Sequence, residues 1–403
     1  MEFVIIGNGT AGVTAARTIA AAAPEGSTVH QFTDEQFPHY SRPKLPSFIG
    51  DPTATKADVL IYDRDWYRRQ NIELHLNEKV ERINPKEQVI ITQSGTYPFS
   101  RLLLATGASC YVPSIKGMPI TNFFTIRTLE EAIKVRNQLA APTTESVVVI
   151  GGGLLGLEIA HACSKQGKPI HVVEYFPYLL PRQLDSEGAV LLQEIFEDQG
   201  MQFHLGTTVE RVLGDKKVEG VQLANGSELP ADMTLTCSGI VPNKALAEKA
   251  GIACNRGILV DDYLETNRGG IYAAGDAAEH NGILYGLWSI SQEQARVAAA
   301  NMLKPKSHQY LGSKIGTTLK VANIYLTSLG SVSSKETATM EIRKFRNEQT
   351  KEFVKLFLNE DRIQGAIILG TKKGIPLIRK LFLRNETINS FRKEINNLFP
   401  NLV

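Results

Sequence analysis

At 403 residues the chain is too long for one ordinary domain and predicts two or three. Its hydrophobic content of 43% supplies ample core for globular folding, and a formal charge of +2 excludes bulk attraction to nucleic acid or a membrane surface. Four widely scattered cysteines, Cys110, Cys163, Cys237 and Cys254, suggest neither a disulfide framework nor a zinc centre, so no metal site is expected.

The chain opens on EFVIIG, which reads as a strand and not as the basic and then apolar start of a secretory signal. The alanine-rich run that follows is short and contains Arg17. No segment approaches the roughly 20 apolar residues of a spanning helix, and a cytoplasmic protein is expected. From Phe3, FVIIGNGTAGVTAARTIA gives an apolar β-branched run, then G-x-G-x-x-G, then a helical pattern. Gly7 lets the chain turn out of the strand, Gly9 lets a pyrophosphate approach the backbone, and Gly12 lets helix and strand pack closely. Thr10 and Ala11 open a helix whose free N–H groups and positive dipole suit phosphates. In the next strand, STVHQFTDEQ, Thr33 occupies the place of a ribose-binding acid, and either Asp34 or Glu35 just beyond can serve instead. HYSRPKLPSFIG then places two cations, Arg42 and Lys44, in a loop that Pro43 and Pro46 restrict.

Ala105, Thr106 and Gly107 lie in SRLLLATGASCYVPSIKG. From Ser146, SVVVIGGGLLGLEIAHACSKQG repeats the first pattern, with Gly151, Gly153 and Gly156 in the turn, Leu154 and Leu155 at the helix start, and Glu158 just inside it. Two such copies, each bracketed by strand and helix, indicate two dinucleotides. KPIHVVEY ends on Glu174, placed to grip an adenosine ribose and to repel a 2′-phosphate, which favours NADH over NADPH. TLTCSGIVPN carries Gly239, TNRGGIYAAGDAAEHNG carries Gly275 and Asp276, and YGLWSISQEQARVAAANML reads as a helix with Trp288 near its start. From about Tyr310 the dinucleotide patterns stop. EFVKLFLNEDRIQGAIILG predicts two strands joined at Asn359–Asp361, and the remainder predicts one or two amphipathic helices. Their basic residues form either a docking face or a solvated one.

In this order the motifs resemble those of the flavin-dependent pyridine nucleotide oxidoreductases, over roughly residues 1–310. The resemblance implies an α/β chain of two Rossmann-like dinucleotide-binding domains, for FAD and NAD, plus a small α+β C-terminal domain. The implied boundaries are 1–110 with 240–310 for FAD, 111–239 for NADH, and 311–403 for the last domain. ATG marks where the chain leaves the FAD domain, Gly239 lies at the second crossover, and Asp276 meets the ribityl–pyrophosphate region. Trp288 either flanks the isoalloxazine or packs its helix.

No cysteine precedes Cys110, whereas thiol-using members of the family carry one or two early in the FAD domain. YSRPKLPSFIG, LLPRQLD and LKVANIYLTSLGS are similar to segments of reductases that serve rubredoxin-like carriers, including flavorubredoxin reductases and the flavin part of assimilatory nitrite reductases. This implies a cation, Arg42 or alternatively Lys44, near flavin N5 and paired with Glu158. The implied function is an NADH-dependent FAD reductase that gives single electrons to a rubredoxin-like protein, as a monomer or a homodimer. An NADH oxidase and a nucleotide-sensing protein with a vestigial flavin site are the alternatives.

Overall fold

The computed structural model describes residues 1–314, 316–321, 324–330, 332 and 339–403, with backbone alone for 317–321. Two compact units emerge. The first comprises Met1–Leu45, Ala54–Ser109 and Ile240–Ser313, and the second Pro46–Thr53, Cys110–Gly239 and Lys314–Val403.

In the first unit five parallel strands lie in the order Ile271–Ala273, Arg101–Leu104, Glu2–Ile6, Thr28–Phe32 and Glu73–His75. A parallel sheet covered on both faces needs apolar side chains at successive positions, and FVII supplies them. Phe3 and Ile5 face the helices Thr10–Ala20 and Trp288–Leu303, whose alanines at 11, 15, 16, 295, 298 and 299 are buried against them. Val4 and Ile6 face the other way, into a core closed by Val80, Ile83 and Ile90 of the antiparallel meander Val80–Asn84, Val89–Thr92 and Thr96–Pro98.

The segment read as a proline-stiffened loop is largely helical. Arg42–Lys44 forms one 3₁₀ turn with Pro43 inside its first turn, and Leu45–Gly50 continues as an α-helix. Proline is tolerated there because the first N–H groups of a helix have no intrahelical acceptor. The prolines therefore start a helix.

The second unit repeats the plan. Its parallel strands run in the order Met201–Leu205, Ile170–Glu174, Val147–Ile150, Met233–Thr236 and Phe123–Thr125. Helix Leu154–Ser164 follows the glycine turn, and the meander Val209–Leu213, Gly220–Leu223 and Glu228–Pro230 packs on Val148, Ile150 and Val173. The C-terminal part is a five-stranded antiparallel sheet in the order Gly316–Val321, Ile324–Gly330, Arg362–Leu369, Glu352–Asn359 and Glu341–Asn347. Val354, Leu356, Leu358, Ala366 and Ile368 bury one face of it against helices Ile375–Arg384 and Arg392–Leu398. Strands Glu352–Asn359 and Arg362–Leu369 and both helices match the sequence reading, and the other three strands were not anticipated. Ala322, Asn323 and Ser331 of LKVANIYLTSLGS lie outside the described residues. On the same sheet the buried Lys355 ammonium is held by Asp185 and Glu187. Asp185 ends LLPRQLD and caps helix Ser186–Glu197.

Candidate dinucleotide sites

The first glycine turn is closed by backbone. Gly7 has a φ of +115°, and a Cβ there would lie 2.0 Å from the Ala105 carbonyl oxygen. A Cβ on Gly12 would lie 2.0 Å from the Gly7 oxygen. Neither position tolerates a side chain. Gly9 caps the helix with no side-chain partner, and the helix has no acidic residue in its first turn. The first N–H groups, beginning with those of Thr10 and Ala11, are thus left without intrahelical acceptors, the arrangement that binds phosphate.

Over this turn lies Arg42. A Cβ on Gly9 would come within 3.0 Å of its Nη1. Its Nη2 donates to Glu35 Oε1 at 2.8 Å, and the Tyr40 hydroxyl donates to the same carboxylate. Burial disfavours the guanidinium charge, but Tyr40, Glu35 and Asp276 outweigh that and hold its pKa above the ordinary value. Asp34 is exposed, whereas Glu35 is half-buried. Thr33 is buried and its hydroxyl accepts the Glu35 N–H at 3.2 Å. Gly275, at φ +82°, donates its N–H to Gln294 Oε1 at 2.9 Å, and Ser291 donates to Asp276 at 3.3 Å. Lys44 points elsewhere and donates to the Asp58 carbonyl at 3.0 Å.

Several neighbours of this turn were not singled out by sequence. Asn8 accepts from the Tyr67 hydroxyl at 2.8 Å through Oδ1, and its carbonyl lies 3.1 Å from His39 Nδ1. Its Nδ2 is buried with no partner among the described residues. The His39 ring stacks on Trp288 at 5.7 Å between centroids. Burial, with the nearby Arg42 charge, pushes the His39 imidazole down to about 4, so it is neutral at physiological pH. Trp288 is the first residue of its helix. The signals available were weak: a polar residue between the first two glycines, and an aromatic pair just before Arg42.

Thr106 and Gly107 are clamped by Asn243, the last residue of TLTCSGIVPN. Thr106 donates to the Asn243 carbonyl at 2.7 Å, Asn243 Nδ2 returns a bond to the Thr106 carbonyl at 2.9 Å, and its N–H reaches the Gly107 carbonyl at 2.9 Å. Two motifs read as separate crossovers meet here within the first unit.

The second turn copies the first with one difference. A Cβ on Gly151, at φ +112°, would lie 2.6 Å from the Cys237 oxygen, and one on Gly156 would lie 1.9 Å from the Gly151 oxygen. A Cβ on Gly153 would meet nothing within 4 Å. Leu154 and Leu155 begin the helix, again without acid in the first turn. Glu174 is buried, and its two oxygens accept the N–H groups of Gly152 at 2.6 Å and Phe176 at 2.9 Å. These bonds leave lone pairs free on both oxygens. Gly239 has a φ of +114° with open space at its Cβ position, and its carbonyl accepts the Tyr111 N–H at 2.9 Å. Glu158 is half-buried, and burial pushes its carboxyl up to about 7.

The thiols are poorly placed for nucleophilic chemistry. Burial pushes Cys163 up to about 12, and Cys237 and Cys254 are also raised, whereas a reactive thiol needs a lowered pKa. Cys110 is half-buried with its Sγ 3.5 Å from the Ile126 carbonyl.

Comparison with known proteins gives two family matches. Residues 1–301 match the pyridine nucleotide-disulphide oxidoreductase family, and residues 316–386 match the rubredoxin NAD+ reductase C-terminal domain. The chain is 35% identical over 373 residues to a nitrite reductase, NAD(P)H, of Bacillus subtilis, covering 92% of this chain and 45% of that one. It is 31% identical to the rubredoxin-NAD(+) reductase of Acinetobacter baylyi, covering 92% of this chain and 94% of that one. The crystal structure of a covalent putidaredoxin reductase–putidaredoxin complex superposes with a TM-score of 0.85 at 25% identity, over 95% of this chain and 93% of that one. The chain spans about half the length of the first curated relatives it matches, 45% of one and 51% of the other.

Proposed function

The chain belongs to the pyridine nucleotide-disulphide oxidoreductase family, and on that footing we propose that it is an FAD-dependent NADH reductase delivering single electrons to a rubredoxin-like carrier. The observation that carries this reading is the first glycine turn, with uncapped helix N–H groups below and a paired arginine above. Backbone fills every position where Gly7 or Gly12 could carry a side chain, while the phosphate-facing side offers donors and a fixed cation. Asn8 Nδ2, buried without a partner among the described residues, is a further donor awaiting an acceptor. These features fit FAD.

Gly7, Gly9, Thr10, Ala11 and Gly12 would hold the FAD pyrophosphate, with Arg42 as its counter-charge. Glu35, already fixed by Arg42 and Tyr40, would take the adenosine ribose. Ala105, Thr106, Gly107, Gly275 and Asp276 would line the same cofactor, with Trp288 at its ring. In the second unit Gly151, Gly153, Leu154, Leu155 and Gly156 would cradle the NADH pyrophosphate, and Glu174 the ribose. No lysine or arginine occurs from His171 to Pro181, and the Glu174 carboxylate would repel a 2′-phosphate, which supports NADH. Gly239 would line the nicotinamide side of that site.

Bound FAD would accept two electrons from NADH and release them singly. The protein's part is to hold and align the two cofactors. Arg42, a cation whose neighbours stabilise its charge, would favour negative charge on the cofactor. Lys44, whose ammonium donates to the Asp58 carbonyl, is given no such role, and Glu158 would be the carboxyl that tunes the NADH side. The raised thiols support an acceptor other than a disulfide. The match at 316–386 supports a rubredoxin-type partner. Among the described residues no helix is long and apolar enough to cross a membrane. The proposed reaction is a cytoplasmic one, in keeping with the scatter of the four cysteines along the sequence.

The test is reduction by NADH under argon followed by rapid mixing with an acceptor. Faster re-oxidation by rubredoxin than by dissolved oxygen is expected, and the reverse order would make the protein an oxidase. A colourless chain that takes up no added FAD would overturn both.

A further inference from the structure

At the edge of the first sheet, three side chains outside the dinucleotide site converge. Strands Thr28–Phe32 and Glu73–His75 pair in parallel, with His30 opposite Glu73 and Phe32 opposite His75. Alternate residues of a strand share a face, so both imidazoles and the carboxylate project to one side. His30 Nδ1 lies 3.1 Å from His75 Nε2 and 3.2 Å from Glu73 Oε2, and His75 Nε2 lies 3.9 Å from Glu73 Oε1. A tetrahedral zinc ion with bonds of about 2.0–2.1 Å keeps its ligands roughly 3.3 Å apart. Two separations already match, and the third closes with a small rotation of the exposed Glu73 carboxylate.

The surroundings hold the imidazoles in place. His75 stacks on Phe32 at 4.2 Å with the rings 6° from parallel, and the Tyr97 ring stands edge-on to both. The far nitrogen of His30, Nε2, faces the Glu2 carboxylate at 3.8 Å, the relationship that orients ligating histidines. We propose that His30, Glu73 and His75 form a binding site for a divalent transition-metal ion, zinc in particular, with a fourth position left for water. Nothing in the sequence marked it, since no cysteine belongs to the site and the sequence reading expected no metal.

The second unit contains its own comparison. His171 and His204 occupy the same diagonal on strands Ile170–Glu174 and Met201–Leu205, and their ring nitrogens also lie 3.1 Å apart. There Gln202 stands opposite His171, in the place that Glu73 holds opposite His30. The histidine pair recurs in both folds, and the carboxylate belongs only to the first.

The experiment is calorimetric titration of Zn²⁺ alone into tag-free, FAD-loaded full-length protein previously treated with chelator, with metal content counted after dialysis. One zinc per chain is expected. Glu73→Gln and His75→Ala should each weaken binding by about tenfold or more, while His171→Ala should leave it unchanged. No stoichiometric binding, wild-type affinity in Glu73→Gln, or loss of binding in His171→Ala would each overturn the site. Should His75→Ala not fold, Glu73→Gln decides alone, because Glu73 lies on the exposed edge with 65% of its side chain accessible.

Discussion

Arg42 donates to Glu35 at 2.8 Å across seven residues of sequence, and the pair lies over the turn at Gly9. The sequence resemblance places Arg42 beside the flavin N5 with Glu158 as its partner. In the structure Arg42 has its ion pair with Glu35, inside the first unit, at the phosphate-binding turn. Arg42→Ala should therefore weaken FAD binding. A hydrogen bond to a charged group contributes about 1.5–3 kcal/mol, which corresponds to roughly 10–100-fold in affinity. Arg42→Lys should recover only part of this, because a lysine keeps the charge but lacks the planar guanidinium and its fixed set of donors. Fluorescence titration of the deflavinated variants with FAD measures both.

The glycines make a paired prediction. Gly156→Ala drives a methyl into the Gly151 carbonyl, whereas Gly153→Ala meets open space at an ordinary φ of −78°. Gly156→Ala should lower the unfolding midpoint, with backbone strain of about 1–3 kcal/mol as the minimum cost. Gly153→Ala should melt like the wild type yet raise KM for NADH, since its methyl stands where the pyrophosphate would approach. Thermal unfolding and steady-state kinetics on the two variants separate a structural glycine from a binding one.

Much of the fold was legible because its signals are local. A β-branched run, a glycine turn and an alanine-rich helix are contiguous, and they recur at Phe3 and Ser146. The ends of both second strands could likewise be counted from the turns, which brought Glu174 and the Asp34–Glu35 pair into view. Long-range pairing was not legible. Asn243 clamps Thr106 across 137 residues, and nothing in either motif specifies the other. The meander strands are short, and their apolar sides are defined only by the sheets they cover. The helix Leu45–Gly50 was hidden by prolines, which read as loop formers unless their place in the first turn is known. His30 and His75 stand 45 residues apart, and strand register, not sequence distance, joins them.

Lys355 links the C-terminal sheet to helix Ser186–Glu197 within the second unit, and its side chain is only 11% exposed. Removing one partner of a buried ion pair leaves the other charge uncompensated, at a cost of about 3–5 kcal/mol. Lys355→Ala should accordingly lower the urea midpoint strongly, and Lys355→Met less so, because its stem still packs. Acid should act on the same link. Hydrogen bonds from Lys344 and Lys355 hold the Glu187 carboxyl down to about 2, from an ordinary 4.5. A depressed carboxyl contributes stability above its unfolded pKa and loses it as pH falls through the folded one. Wild-type protein should thus lose stability between those two values, and Glu187→Gln should show a smaller loss over the same range.

Glu158 makes the opposite prediction. Burial pushes its carboxyl up from an ordinary 4.5 to about 7. Between those values the folded chain holds a proton that the unfolded chain has released, so folding takes up a proton and stability falls as pH rises. Below that window the wild type and Glu158→Gln should unfold at similar denaturant concentrations. Above it the wild type must bury a charge, while the glutamine stays neutral at nearly the same volume. Glu158→Gln should be the more stable protein at pH about 8, with the difference vanishing near pH 5. The same ionisation should appear in turnover as an inflection near neutrality in the rate of flavin reduction by NADH, absent from the variant. Urea melts across the pH range, with stopped-flow reduction on the same samples, test both. A Glu158→Gln curve parallel to the wild type at every pH would show that the carboxyl does not titrate in this window and would remove its role in tuning the NADH side.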